Sequence, residues 1–120
     1  MFIRNAAEIK GFASEHGEVV REMIGAAAGG TTAYSLAEIT LPPGKRSRKH
    51  YHPVAEESFY ILSGAAQIEV DGQTAALAPG DSIAVLPNQV HQIANTGPDD
   101  LVFLAVCVPA WTPDNSVYLG

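Results

Sequence analysis

The segment KHYHPVAEESFYILSG, residues 49–64, gathers side chains able to hold a metal ion. Four histidines occur in the 120-residue chain, and two of them, His50 and His52, stand one residue apart just ahead of Pro53 and the Glu56-Glu57 pair. On a strand, residues i and i+2 point to the same side, so both imidazoles face one way with Cα atoms about 6.6 Å apart. That spacing lets two ring nitrogens converge on one ion. Pro53 lacks the N–H a central ladder needs, so it marks the strand's end, and PVAE turns the chain until Glu57 opens the next strand. A third histidine, His91 in GDSIAVLPNQVHQIAN, follows a Pro87-Asn88 turn at the start of another strand. Three imidazoles and one carboxylate suit a mononuclear divalent metal with positions left open, one ion per chain. These donors do not select among iron, manganese, nickel, zinc and copper.

The elements that must position these ligands read as strands. From EVVREMI onward the chain is a series of short runs, AYSLAEITL, ESFYILSG, AAQIEVDG, DSIAVL, HQIAN and DLVFLAVCV, broken by turn signals such as PPG, VDG, APGD and TGPDD. Regular short strands with Gly/Pro punctuation indicate an all-β sandwich or barrel. Alternation in AQIEV puts Ala66, Ile68 and Val70 on one face, and Asp71-Gly72 supplies the positive-φ turn of a hairpin. LVFLAVCV is apolar on both faces, which places it between two covered surfaces or in a subunit seam. Asn5 followed by Glu8 allows at most one short N-terminal helical turn, since Gly11 and Gly17 stop anything longer.

The two histidine-bearing stretches resemble the paired signatures of the cupin superfamily. Gly44, His50, His52, Glu57 and Gly64 follow the first signature, and Gly80, His91 and Asn95 follow the second, with residues 65–79 between them. Glu57 fits better than Glu56, because six residues after Glu57 lead to Gly64. Leu86 and Asn88 replace the usual proline and glycine of the second signature, and asparagine accepts the positive φ a glycine would have supplied. The resemblance implies a cupin-type double-stranded β-helix, or jelly-roll, barrel. A single domain is expected over 1–120, with its barrel core at about 18–108 and a C-terminal tail at 109–120.

Other features carry less chemistry. Lys45, Arg46, Arg48 and Lys49 crowd before the ligands, ordinarily the mark of a solvated loop. Arg46 and Arg48 nevertheless share the parity of His50 and His52, so a strand extended backward would aim them at the barrel mouth, and Arg48 is the candidate contact for a substrate anion. Cys107 lies in an apolar run with no base nearby in sequence and reads as core. Phe59, Ile61 and Ile93 share parity with the ligands and should line the barrel, while Trp111 and Tyr118 should cover it or a dimer seam. Serine-hydrolase and phosphate-loop patterns are missing, and His16 has no assigned role.

An apolar fraction of 47% with 17% charged residues is ordinary for a globular domain, and a net charge of −6 argues against nucleic acid as a partner. One cysteine, no secretory pattern and no run of about 20 apolar residues point to a cytoplasmic protein with no membrane partner. Open barrel edges lead us to expect a homodimer. The functional expectation is a metal-dependent enzyme, of dioxygenase or isomerase/lyase type, acting on a small oxygen-rich or anionic metabolite. A non-catalytic module that binds or senses a small ligand is the alternative, because the fold alone does not fix the reaction.

Overall fold

Short, alternating runs become strands throughout the computed structural model, which describes residues 1–119. In chain order they are β1 (Phe12–Ala13), β2 (Val19–Ile24), β3 (Ser35–Leu41), β4 (His50–Tyr51), β5 (Glu56–Ser63), β6 (Ala66–Val70), β7 (Gln73–Leu77), β8 (Ser82–Val85), β9 (His91–Asn95), β10 (Leu101–Val108) and β11 (Val117–Tyr118). They form a six-stranded sheet, ordered β1-β2-β3-β10-β5-β8, and a five-stranded sheet, ordered β11-β4-β9-β6-β7. The strand pairs are antiparallel, as the jelly-roll reading requires. Among the described residues helix is confined to single 3-10 turns at Ala6–Glu8 and Pro113–Asn115, and Asn5 Oδ1 accepts from Ala7 N at 2.9 Å to cap the first. Among the described residues no helix is long and apolar enough to cross a membrane.

Period-2 patterning decides what each strand buries. Along β5 the alternate residues Glu57, Phe59 and Ile61 are buried while Glu56, Ser58 and Tyr60 are exposed. On β9 the inward row is His91, Ile93 and Asn95. Leu41, Ile68, Val85, Leu101 and Phe103 complete the core, with Phe103 meeting Phe59 edge to face at 5.2 Å between ring centres. The doubly apolar run becomes β10, held between β3 and β5, whose inner residues Leu101, Phe103, Ala105 and Cys107 are buried. Its other face, with Leu104 and Val106 beside Leu36 and Tyr60, is only partly covered.

Two turns use the positive φ foreseen for them. Asp71 and Gly72 (φ 48° and 82°) close the β6–β7 hairpin, and Asn88 (φ 68°) makes the turn into β9. Asn88 N also donates to His52 O at 2.8 Å, so the substituted signature position ties one ligand's backbone to the loop before another.

Candidate metal centre

His50 and His91 are register partners on the neighbouring strands β4 and β9, which brings their ring centres to 4.2 Å. His52 follows two residues after His50 on the same side, with its ring 5.0 Å from that of His50 and 5.4 Å from that of His91. Glu57 enters from the opposite sheet. Its Oε1 lies 3.2 Å from His52 Nε2 and 3.4 Å from His91 Nε2. Of the two adjacent glutamates, the structure buries Glu57 and leaves Glu56 in solvent.

One ligand atom from each of His50, His52, Glu57 and His91 lies within 4.8 Å of the others, so the cluster can hold a metal ion. The hydrogen-bond pattern fits that role. Each imidazole places Nδ1 against a backbone carbonyl: Arg48 O at 2.7 Å, Asn115 O at 3.0 Å and Gln89 O at 3.0 Å for His50, His52 and His91 respectively. A carbonyl only accepts, so each of these contacts places a proton on Nδ1 and turns Nε2 toward the cluster, where in the metal-free protein His52 Nε2 meets Glu57 Oε1. Among the described residues His91 Nε2 is buried with no hydrogen-bond partner, because its approach to Glu57 lacks hydrogen-bond geometry. Buried polar atoms are seldom left so. Three imidazole nitrogens and a carboxylate gathered at one point can make a cation site.

The electrostatics follow from the same geometry. Burial works to raise the Glu57 carboxyl, but the polar contacts with His52 and His91 outweigh it and hold the group down at about 2. Burial and the neighbouring His91 lower His50 to about 4. For His52, burial opposes the charge, yet the hydrogen bond and charge of Glu57 win and raise it. The Cys107 thiol is pushed up to about 12 by burial and by the Glu57 charge, which leaves it an inert core residue.

The cluster opens on a cavity of about 930 Å³ walled by Phe59, Ile93 and Phe103. Arg48 reaches this cavity and stacks its guanidinium on the Tyr118 ring at 4.2 Å. Arg46 does not. It forms an isolated bridge to Ala94 and lines a separate polar groove with Glu69 and Gln92, because β4 begins only at His50 and the shared parity of residues 46 and 48 is broken before it. Lys49 pairs with Glu69 at 2.7 Å instead of facing the ligands.

Cavity residues that the sequence reading gave no role include His16 and Glu18. They sit on the β1–β2 hairpin and line the same wall. Burial raises the Glu18 carboxyl, with His16 opposing and the Glu57 charge adding. A signal was present: Glu18 shares parity with Val20, which lies opposite Ile39 on the inner face.

Two antiparallel sheets closed around a three-histidine, one-carboxylate cluster at a cavity define a small jelly-roll protein with a candidate metal centre. Sequence comparison agrees with that class. The chain belongs to the cupin family, with residues 37–107 matching its Cupin domain. It is 29% identical over 112 residues to an uncharacterized protein of Methanocaldococcus jannaschii, covering 93% of this chain and 90% of that one. It is 36% identical over 73 residues to the oxalate-binding protein of Thermotoga maritima, covering 61% and 60%. The crystal structure of Lactobacillus farciminis oxalate decarboxylase in complex with formate superposes with a TM-score of 0.81 at 25% identity, covering 94% of this chain but 34% of that one. The chain thus spans about three fifths of the Thermotoga protein and one third of the decarboxylase.

Proposed function

We propose that this protein uses a divalent metal at His50, His52, Glu57 and His91 to bind and transform a small carboxylate or similar oxygen-rich anion. The observation that carries this reading is the convergence of four ligand atoms within 4.8 Å, three of whose residues, His50, His52 and Glu57, line a cavity together with Arg48. A bound divalent ion supplies Lewis-acid charge to a ligand oxygen or, if it is iron, access to dioxygen chemistry. The chain's own residues do the rest. Phe59, Ile93 and Phe103 keep the inner wall dry, which strengthens every charge interaction there. The planar fork of Arg48 matches the two oxygens of a carboxylate. Glu18, its carboxyl raised by burial, is placed on the wall to give or take a proton. The names of two relatives, an oxalate-binding protein and an oxalate decarboxylase with formate, support a small carboxylate as the ligand class.

Binding without turnover is the second reading, favoured by the name of the Thermotoga relative. The test begins with elemental analysis of protein purified without chelators, followed by reconstitution with iron, manganese, nickel, zinc and copper in turn. Oxalate is then added to each form, with calorimetry for binding and NMR for products. Metal-dependent binding with product supports the enzyme, and metal-dependent binding without product supports the binding module. Oxalate binding that ignores the metal, or fails with every metal, sinks the carboxylate reading.

A homodimer through the outer face of the six-stranded sheet accounts for the partly covered patch of Leu36, Tyr60, Leu104 and Val106. Sedimentation at micromolar concentration is expected to give twice the chain mass, and a monomer at that concentration contradicts it.

A further inference from the structure

The three imidazoles are oriented by two different kinds of tether. His50 and His91 each bond the carbonyl two residues upstream, Arg48 O and Gln89 O. Those tethers are local and lie inside the segment that matches the family, residues 37–107. His52 reaches across 63 residues to Asn115 O at 3.0 Å, and Ser116 Oγ stands 3.2 Å from the same Nδ1. Both partners belong to the tail beyond the matched segment.

That tail is fastened onto the ligand strand. Val117 and Tyr118 of β11 pair with Tyr51 and His50 of β4, and Leu119 N donates to Lys49 O at 2.9 Å. Trp111 Nε1 donates to Ser116 Oγ at 3.2 Å, which holds the segment's near end. The Tyr118 ring lies 5.4 Å from the His50 ring and carries the Arg48 guanidinium on its face. One short segment, Asn115 to Tyr118, therefore contacts two ligands and the cavity arginine. Its register is fixed by β4 itself, so a slip would move the Asn115 carbonyl away from His52.

We propose that residues 112–119 are a working part of the metal centre: the Asn115 carbonyl sets the tautomer and orientation of His52, and Tyr118 holds Arg48 at the cavity. The inference rests on the metal reading given above. Partners that orient a ligand imidazole change metal affinity by roughly 10- to 100-fold when lost. His52 is the exposed point in this design, because its orienting group sits at the far end of the chain, whereas those of His50 and His91 come with their own strands.

The experiment compares three metal-free proteins: wild type, a chain ending at Trp111, and full-length Leu119→Pro, which removes the N–H that anchors β11 to Lys49. Zinc affinity is measured by competition with a chromophoric chelator, and imidazole 15N shifts report which nitrogen of each histidine carries the proton. The shortened chain is expected to bind zinc at least about tenfold more weakly. Its His52 should lose the Nδ1–H signature while His91 keeps it, and Leu119→Pro should shift both readouts the same way by less. Zinc affinity within twofold of wild type overturns the proposal. So does weakened affinity with the His52 tautomer unchanged, the result of a merely loosened fold. If the shortened chain does not fold, Leu119→Pro decides on the same two readouts. A wild-type protein that takes up no zinc and none of the other four metals overturns the metal reading and this inference with it.

Discussion

Strand β9 buries two polar residues on one inward face, His91 and Asn95, with Ile93 between them, and the two ends of that row are satisfied in opposite ways. Asn95 spends its whole side chain on the fold. Its Nδ2 donates to Leu41 O and Asp99 O, each at 2.8 Å, and its Oδ1 accepts from Gly97 N at 2.9 Å. His91 commits only Nδ1, to Gln89 O, and leaves Nε2 without a hydrogen bond. Both residues belong to one signature, and both are almost wholly buried. A closed hydrogen-bond set marks the structural end of the strand, and an open lone pair marks the chemical end.

The largest expected effect tests this contrast directly. His91→Leu should abolish stoichiometric metal binding, as should His52→Ala, while in the metal-free protein His91→Leu should cost less stability than Asn95→Leu, because it orphans one carbonyl, Gln89 O, and removes one contact to Glu57. Asn95→Leu should spare the metal instead. Two carbonyls and one N–H lose their partner, at a cost of about 2–4 kcal/mol in the metal-free protein, while metal per folded chain stays at the wild-type value. Elemental analysis paired with denaturant unfolding reads both. Equal metal loss in the two variants would erase the distinction.

Acid should separate the ligand cluster from Asn95 next. Glu57, held at about 2 against an ordinary 4.5, contributes stability that is full above 4.5 and is lost as pH falls toward 2. His50, held at about 4 against 6.5, acts in the same direction over a higher window, because the unfolded chain takes up its proton first as pH falls from 6.5 to 4. His52 runs the other way, its contribution fading as pH rises through its raised value. The metal-free protein should therefore weaken from about pH 6.5 downward, and His50→Asn should flatten the upper part of that slope. Asn95 does not titrate, so Asn95→Leu should lower the whole curve and leave its shape alone. A slope unchanged by His50→Asn contradicts the His50 assignment.

Much of this was legible because it is local. Alternation along β5 separates Glu57 from Glu56, parity pairs His50 with His52, and Asn88 takes the positive φ that a turn-forming residue should. What could not be read is what depends on distant segments meeting. Nothing in the spacing of His52 points to Asn115, and nothing in SEHGE shows that the β1–β2 hairpin lies on the cavity wall. Parity failed at Arg46 for a related reason: it holds only along a continuous strand, and β4 is two residues long.

The smallest expected effect uses two neighbours in the basic cluster that repeat the β9 contrast at the surface. Lys49 is engaged outward with Glu69, while Arg48 lies on Tyr118 at the cavity. In protein loaded with metal, Arg48→Ala should weaken oxalate binding by about 1.5–3 kcal/mol, the range for a charged hydrogen bond, with metal content unchanged. Arg48→Lys should recover only part of that loss, since an ammonium cannot match both carboxylate oxygens with a planar fork. Lys49→Ala removes a half-exposed ion pair, so its effect should fall within about 1 kcal/mol and appear in stability rather than in oxalate affinity. Calorimetric titration of the three variants ranks them. Indistinguishable oxalate affinities for Arg48→Ala and Lys49→Ala would return the whole cluster to a solvated loop and leave the metal as the sole determinant of anion binding.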